Sequence, residues 1–141
     1  MTWVAWAVLS AVFAGITAIL AKVGVEHVNS HLATAIRTTV VLVLTWAIAL
    51  AAAPPGALVV PGRRTMLFLI LSGIATALSW LCYFRALQLG EASRVAPIDK
   101  LSVVFAIVLA AIFLRERLTW QVVVGGALIV AGSLIIARGP R

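Results

Sequence analysis

Charge is what this sequence has least of. Charged side chains make up 11% of its 141 residues, against about 25% in an average soluble domain. Only 4 of them are acidic. A water-soluble globule of this size needs a mostly polar surface, and a chain that is 64% hydrophobic, with a mean hydropathy of +1.18, cannot supply one. A soluble enzyme, a disordered protein and a coiled coil are excluded. Cys82 is the single cysteine, so an intrachain disulfide and a cysteine-based metal site are excluded as well. His27 and His31 are four apart, a spacing that suits a metal on a helix face, but Asn29 and Ser30 between them read as a solvated loop. No metal and no cofactor is expected.

What is present is apolar length. A helix needs about 20 apolar residues to cross the hydrocarbon. Residues 1–21, 38–62, 65–84 and 118–137 carry no charged side chain. The second of these runs breaks at Pro54-Pro55-Gly56 and again at Pro61-Gly62. The charge-free run from Leu101 to Leu114 is too short to cross alone and must take in Asp99, Lys100 and Pro97. The expected fold is therefore an all-α integral membrane protein, one domain over 1–141. Its five spans are expected at about 2–21, 33–53, 66–88, 93–114 and 119–137. The first is not expected to be a signal peptide, because it lacks a basic leading region and its apolar stretch is too long.

The net charge of +7 would suggest nucleic acid on a soluble protein. Here the charges fall between apolar runs and no nucleic-acid motif appears. The basic residues are expected to end membrane helices and face lipid phosphates. Five spans put the termini on opposite faces. Clear loop and tail positions carry Arg94, Arg138 and Arg141 on one face, and Arg63, Arg64, Arg115 and Arg117 on the other. That balance gives the positive-inside rule little to act on. Either one orientation is set by finer details, or copies insert both ways.

Hydroxyl-bearing stripes run along four spans at helical spacing. Span 1 aligns Trp3, Trp6, Ser10 and Thr17; span 2, Thr34, Thr38 and Thr45; span 3, Ser72, Thr76, Ser79 and Tyr83; span 4, Asp99 and Ser102. Such groups either bond their own helix and glue helices together, or they line a polar cavity. The cavity reading assigns a substrate pathway to Ser10, Thr17, Thr38, Thr76, Ser79, Trp80, Tyr83, Asp99, Lys100 and Ser102. Asp99, an ionisable group inside a span, is the candidate for proton coupling. Arg85 either snorkels to the interface or pairs with Asp99. Span 5 instead carries Gly125 and Gly132 on one face, a small-residue surface that suits close helix packing, within one subunit or between two.

The stretch from Tyr83 to Ser93, YFRALQLGEAS, resembles the link between the third and fourth helices of the EamA-type half of the drug/metabolite transporter superfamily. Phe113 to Thr119, FLRERLT, resembles that family's short acidic turn, with Arg115 where the family prefers glycine. The run from Gly125 to Gly132 is similar to its last helix and to the dimerising helix of small multidrug resistance transporters. The resemblance implies a small-molecule transporter of the inner (cytoplasmic) membrane. Many members carry two inverted halves, so one half is expected to act as an antiparallel homodimer with alternating access. Asp99, Lys100 and Val103 depart from the family's usual neutral residues and proline. An accessory membrane subunit needing a different partner, or a lipid-carrier flippase subunit, is the alternative.

Overall fold

The computed structural model describes residues 2–54, 56 and 59–139, and every regular element among them is helical. Five helical segments are long and apolar enough to cross a membrane. They are α1 (Trp3–Val25), α2 (Ser30–Ala52), α3 (Arg63–Leu89), the consecutive pair α4 (Ala92–Asp99) and α5 (Leu101–Phe113), and α6 (Trp120–Arg138). The five expected spans are present. Their ends shift by a few residues at most, the furthest at α1, which runs on to Val25 and does not stop near residue 21.

Two boundaries follow from local chemistry. The Asn29 side chain caps α2 by accepting a hydrogen bond from the His31 N–H at 2.9 Å. His31 therefore lies in the first turn of a helix and not in a loop, because Asn29 starts the helix before it. Helix α2 stops at Ala53, which adopts an extended conformation ahead of Pro54. Gly56 has a left-handed φ of 84°; Pro55, between them, lies outside the described residues, as does Arg141.

The chain divides into two compact units, Ala21–Gln88 and Met1–Leu20 with Leu89–Arg141. In the first, Val25 and Leu87 are fully buried, beside Ala21, Phe84, Ser30 and Thr34. Its helix ends satisfy one another. Lys22 on α1 donates to the Leu87 carbonyl on α3 at 2.7 Å. Gln88 on α3 donates to the Val25 and Val28 carbonyls at 3.2 and 2.7 Å. Terminal carbonyls have no intrahelical partner, and leaving them bare in lipid costs several kcal/mol each. Arg85 donates to the Gln88 side chain at 3.1 Å and so holds the amide that does this.

In the second unit, α4 and α5 pack on α6. Gly126 faces α5, where a Cβ would make an ordinary contact with the Ile107 side chain at 3.5 Å. Arg94, a loop position by sequence, lies within α4 and donates to the Ala137 and Gly139 carbonyls at the end of α6. A cation on the last carbonyls of a helix both satisfies them and complements the helix dipole. Arg138 ends α6 and Arg63 and Arg64 open α3, so several cations counted as loop charges belong to helix ends.

Candidate functional site

Two arrangements, one in each unit, bring polar chemistry into membrane-spanning helices. In Ala21–Gln88, Arg37 is the eighth residue of α2 and lies inside the span. Its guanidinium sits over the ring of Trp80 at 4.1 Å and over that of Phe84 at 5.5 Å, both on α3. Trp80 and Phe84 are one turn apart and so share a face. Tyr83 is half-buried on the same helix. A cation over an aromatic face within about 6 Å is held by the ring quadrupole, worth on the order of 1 kcal/mol and more when desolvated.

The threonines around it have spent their protons. Thr34 donates to the Ser30 carbonyl and Thr38 to the Thr34 carbonyl, each at 2.8 Å. Thr45 donates to Val41 at 2.8 Å and Thr76 to Ser72 at 2.9 Å. The threonine stripes of α2 and α3 thus bond their own helices four residues back. What their oxygens still offer is lone pairs.

In the other unit, the fourth span is interrupted. The Lys100 N–H bonds the Pro97 carbonyl at 3.2 Å, and the Val103 N–H bonds the Lys100 carbonyl at 3.0 Å. Both are three-residue closures, the tighter 3₁₀ pattern that in mid-helix often marks a hinge. Ser133 on α6 donates to the same Pro97 carbonyl at 3.0 Å. Asp99 and Lys100 approach to 3.8 Å, the outer edge of an ion pair. An open groove of about 440 Å³ runs beside the break, lined by Ala96, Pro97, Lys100, Leu128, Gly132 and Ser133.

The sequence-assigned residues are distributed as follows. Ser10 is exposed and Thr17 half-buried on α1; Ser79 is exposed and Trp80 half-buried on α3; Ser102 is exposed on α5. Trp80 meets Arg37, and Asp99 meets Lys100. No atom lies within 4 Å of a Cβ built at Gly125 or Gly132, so the close packing inside this unit falls on Gly126. Among the described residues no group of three or more His, Cys, Asp or Glu gathers to hold a metal.

Sequence reasoning missed Arg37 and Ser133 as site residues. Arg37 carried a signal, since it stands just before the longest charge-free run. Ser133 carried one also, as the only hydroxyl in the interior of the last span, although nothing in the sequence names Pro97 as its partner.

Five membrane-length helices, one of them interrupted, with ionisable side chains inside the spans, define a polytopic membrane protein built on transporter lines. The chain matches the EamA-like transporter family over residues 1–138 and belongs to that family. It is 51% identical over 139 residues, 96% of each chain, to a Sinorhizobium sp. protein called "Uncharacterized transporter in cobO 3'region". It is 25% identical over 80 residues to Methanocaldococcus jannaschii "Uncharacterized protein MJ1333.1", covering 57% of this chain and 58% of that one. No solved structure matches.

Proposed function

We propose that the protein is a transporter of small organic molecules in the inner (cytoplasmic) membrane, working as an antiparallel homodimer by alternating access. Membership of the EamA-like transporter family and the name of the Sinorhizobium relative support a membrane transporter over an enzyme. The observation that carries the finer reading is the interruption at Lys100. Transporters place substrate and coupling-ion sites at discontinuous helices, where the backbone is freed from its ladder and can rearrange. Here the break sits beside an acidic side chain, Asp99, and is held from α6 through one hydroxyl, that of Ser133.

In this reading Asp99 carries the coupling proton and Lys100 modulates it. Ser102 lies one helical turn beyond Asp99 on the same stripe. Thr38, Thr76, Ser79, Trp80 and Tyr83 contribute substrate contacts from α2 and α3, and Ser10 and Thr17 from α1. The whole chain acts as one five-helix domain. Two copies inserted in opposite orientations supply the inverted symmetry that alternating access uses, and the near balance of loop cations supports that insertion. Gly125 and Gly132 leave open space on α6 where a second copy can approach closely.

Reconstitution tests this. The pure protein in liposomes, screened against metabolites and drug-like solutes with and without a pH gradient, is expected to give saturable, gradient-dependent flux. Flux that appears only with a second, different membrane protein would overturn the homodimer. Movement of lipid in place of any soluble solute would make it a flippase. Carboxy-terminal reporters active on one side each are both expected to give signal; one silent reporter would exclude dual insertion.

A further inference from the structure

We infer that Arg37, seated on Trp80 and Phe84, is a binding site for an oxyanion, a carboxylate or phosphate group, inside the membrane span. This deepens the transporter reading by naming a class of ligand, and it rests on that reading only for the ligand being transported.

Helix α2 begins, and α3 ends, on the same side of the membrane. Arg37 lies seven residues in from Ser30, about 10 Å along the axis, while Trp80 lies about 13 Å and Phe84 about 8 Å in from Leu89. An arginine that merely snorkels extends toward the headgroups. This one is nearer the deeper ring, at 4.1 Å against 5.5 Å. Its guanidinium lies against the ring farther from the end of α3.

Among the described residues Arg37 pairs with no carboxylate; the ion pair there is Asp99 with Lys100. Guanidinium has five N–H donors around its edge and no acceptor. A ring face satisfies the flat side of the group and leaves that edge available. Arg37 is half-exposed, so the edge is not sealed. A fixed cation with free donors in a low-dielectric setting is a site for a planar or tetrahedral oxyanion, which the fork binds with two parallel bonds.

The oxygens of Thr34 and Thr38, on the same face of α2, have given their protons to backbone carbonyls. Neither donates to an anion, so Arg37 supplies that interaction, while the exposed Thr38 can accept from a hydroxyl or amino group elsewhere on the ligand. Trp80 and Tyr83, both half-buried, offer aromatic surface to its apolar part.

Two sources share this chemistry: a soluble organic anion and the phosphate of a lipid headgroup. The test uses the purified full chain in nanodiscs of phosphatidylcholine alone and of phosphatidylcholine with phosphatidylglycerol. Benzoate and phenyl phosphate are titrated by calorimetry, and retained phosphatidylglycerol is measured by native mass spectrometry. The parent is expected to bind at least one aryl anion in both discs, and to show a higher Tm with it. Arg37→Gln is expected to weaken binding roughly tenfold or more, the loss of charge-assisted hydrogen bonds, and to remove the Tm shift. Arg37→Lys, which keeps charge and loses the fork, is expected to fall between. Phosphatidylglycerol retained by the parent and lost in Arg37→Gln, with no soluble anion bound, supports the site and assigns it to lipid. No anion or anionic lipid bound by the parent, or equal binding by parent and Arg37→Gln, overturns it. If Arg37→Gln does not fold, Arg37→Lys and the parent decide the question. Anion binding without flux of any solute would leave this site standing and sink the transport reading; flux of neutral or cationic solutes without anion binding would do the reverse.

Discussion

Ser133 on α6 donates a hydrogen bond to the carbonyl of Pro97, 36 residues earlier, at the point where the fourth span breaks. Ser133 is 5% exposed, and the carbonyl it meets is also bonded by the Lys100 N–H. This hydroxyl therefore ties the break itself to α6, in addition to the Arg94 bonds from α4 to the end of α6. Ser133→Ala should lower stability by about 1 kcal/mol, the usual worth of an interhelical hydrogen bond in a membrane. It should also speed amide exchange at Lys100 and the residues after it. An unchanged exchange pattern around the break would mean that Ser133 does not restrain it.

Arg115 adopts φ 55°, the left-handed region, just past the end of α5. The turn lets the Glu116 N–H reach the Ala110 carbonyl at 3.3 Å. Side chains other than glycine are strained there by roughly 1–2 kcal/mol, which explains why the turn this stretch resembles prefers glycine. Arg115→Gly should raise Tm, by an amount equivalent to about 1 kcal/mol. A lower Tm would show that the arginine side chain holds the loop through contacts that outweigh the strain.

Substitutions at Gly126 and Gly132 distinguish packing within the protomer from the proposed packing between protomers. A Cβ at Gly126 already touches Ile107, so leucine there would have to displace that side chain and should lower stability by about 1–3 kcal/mol, the range for overpacking. Gly132→Leu has open space around its Cβ and should leave the protomer's Tm near the parent's while shifting detergent-solubilised protein toward monomer. A dimer that survives leucine at both Gly125 and Gly132 places the contact elsewhere.

Asp99 and Lys100 are adjacent, 37% and 55% exposed, and 3.8 Å apart. Neighbouring residues on a helix do not face each other, so the pair holds little of the fold together. Asp99→Asn should change stability by no more than about 1 kcal/mol and abolish flux driven by a pH gradient. A mutant that melts much earlier than the parent would make the carboxylate a structural partner. One that melts and transports like the parent would remove Asp99 from the mechanism.

The five spans and their all-helical nature follow from the sequence alone, because lipid imposes a length and a hydropathy that can be counted residue by residue. The short charge-free run after Lys100 already marked the fourth span as irregular, but nothing in the sequence placed the break at Lys100. The unfavoured residue at position 115 was legible in the same way, as an arginine where its resemblance suggested glycine. Tertiary structure decided who meets whom. Arg37 lies on rings that are far from it in sequence, Ser133 reaches Pro97, and Lys22 and Gln88 close helix ends more than 60 residues away. Helical spacing places a side chain on a face of its own helix and says nothing about which helix that face meets. In lipid, where apolar surfaces are interchangeable, the choice is made by donors and carbonyls that must find partners, and those partners exist only once the helices have packed.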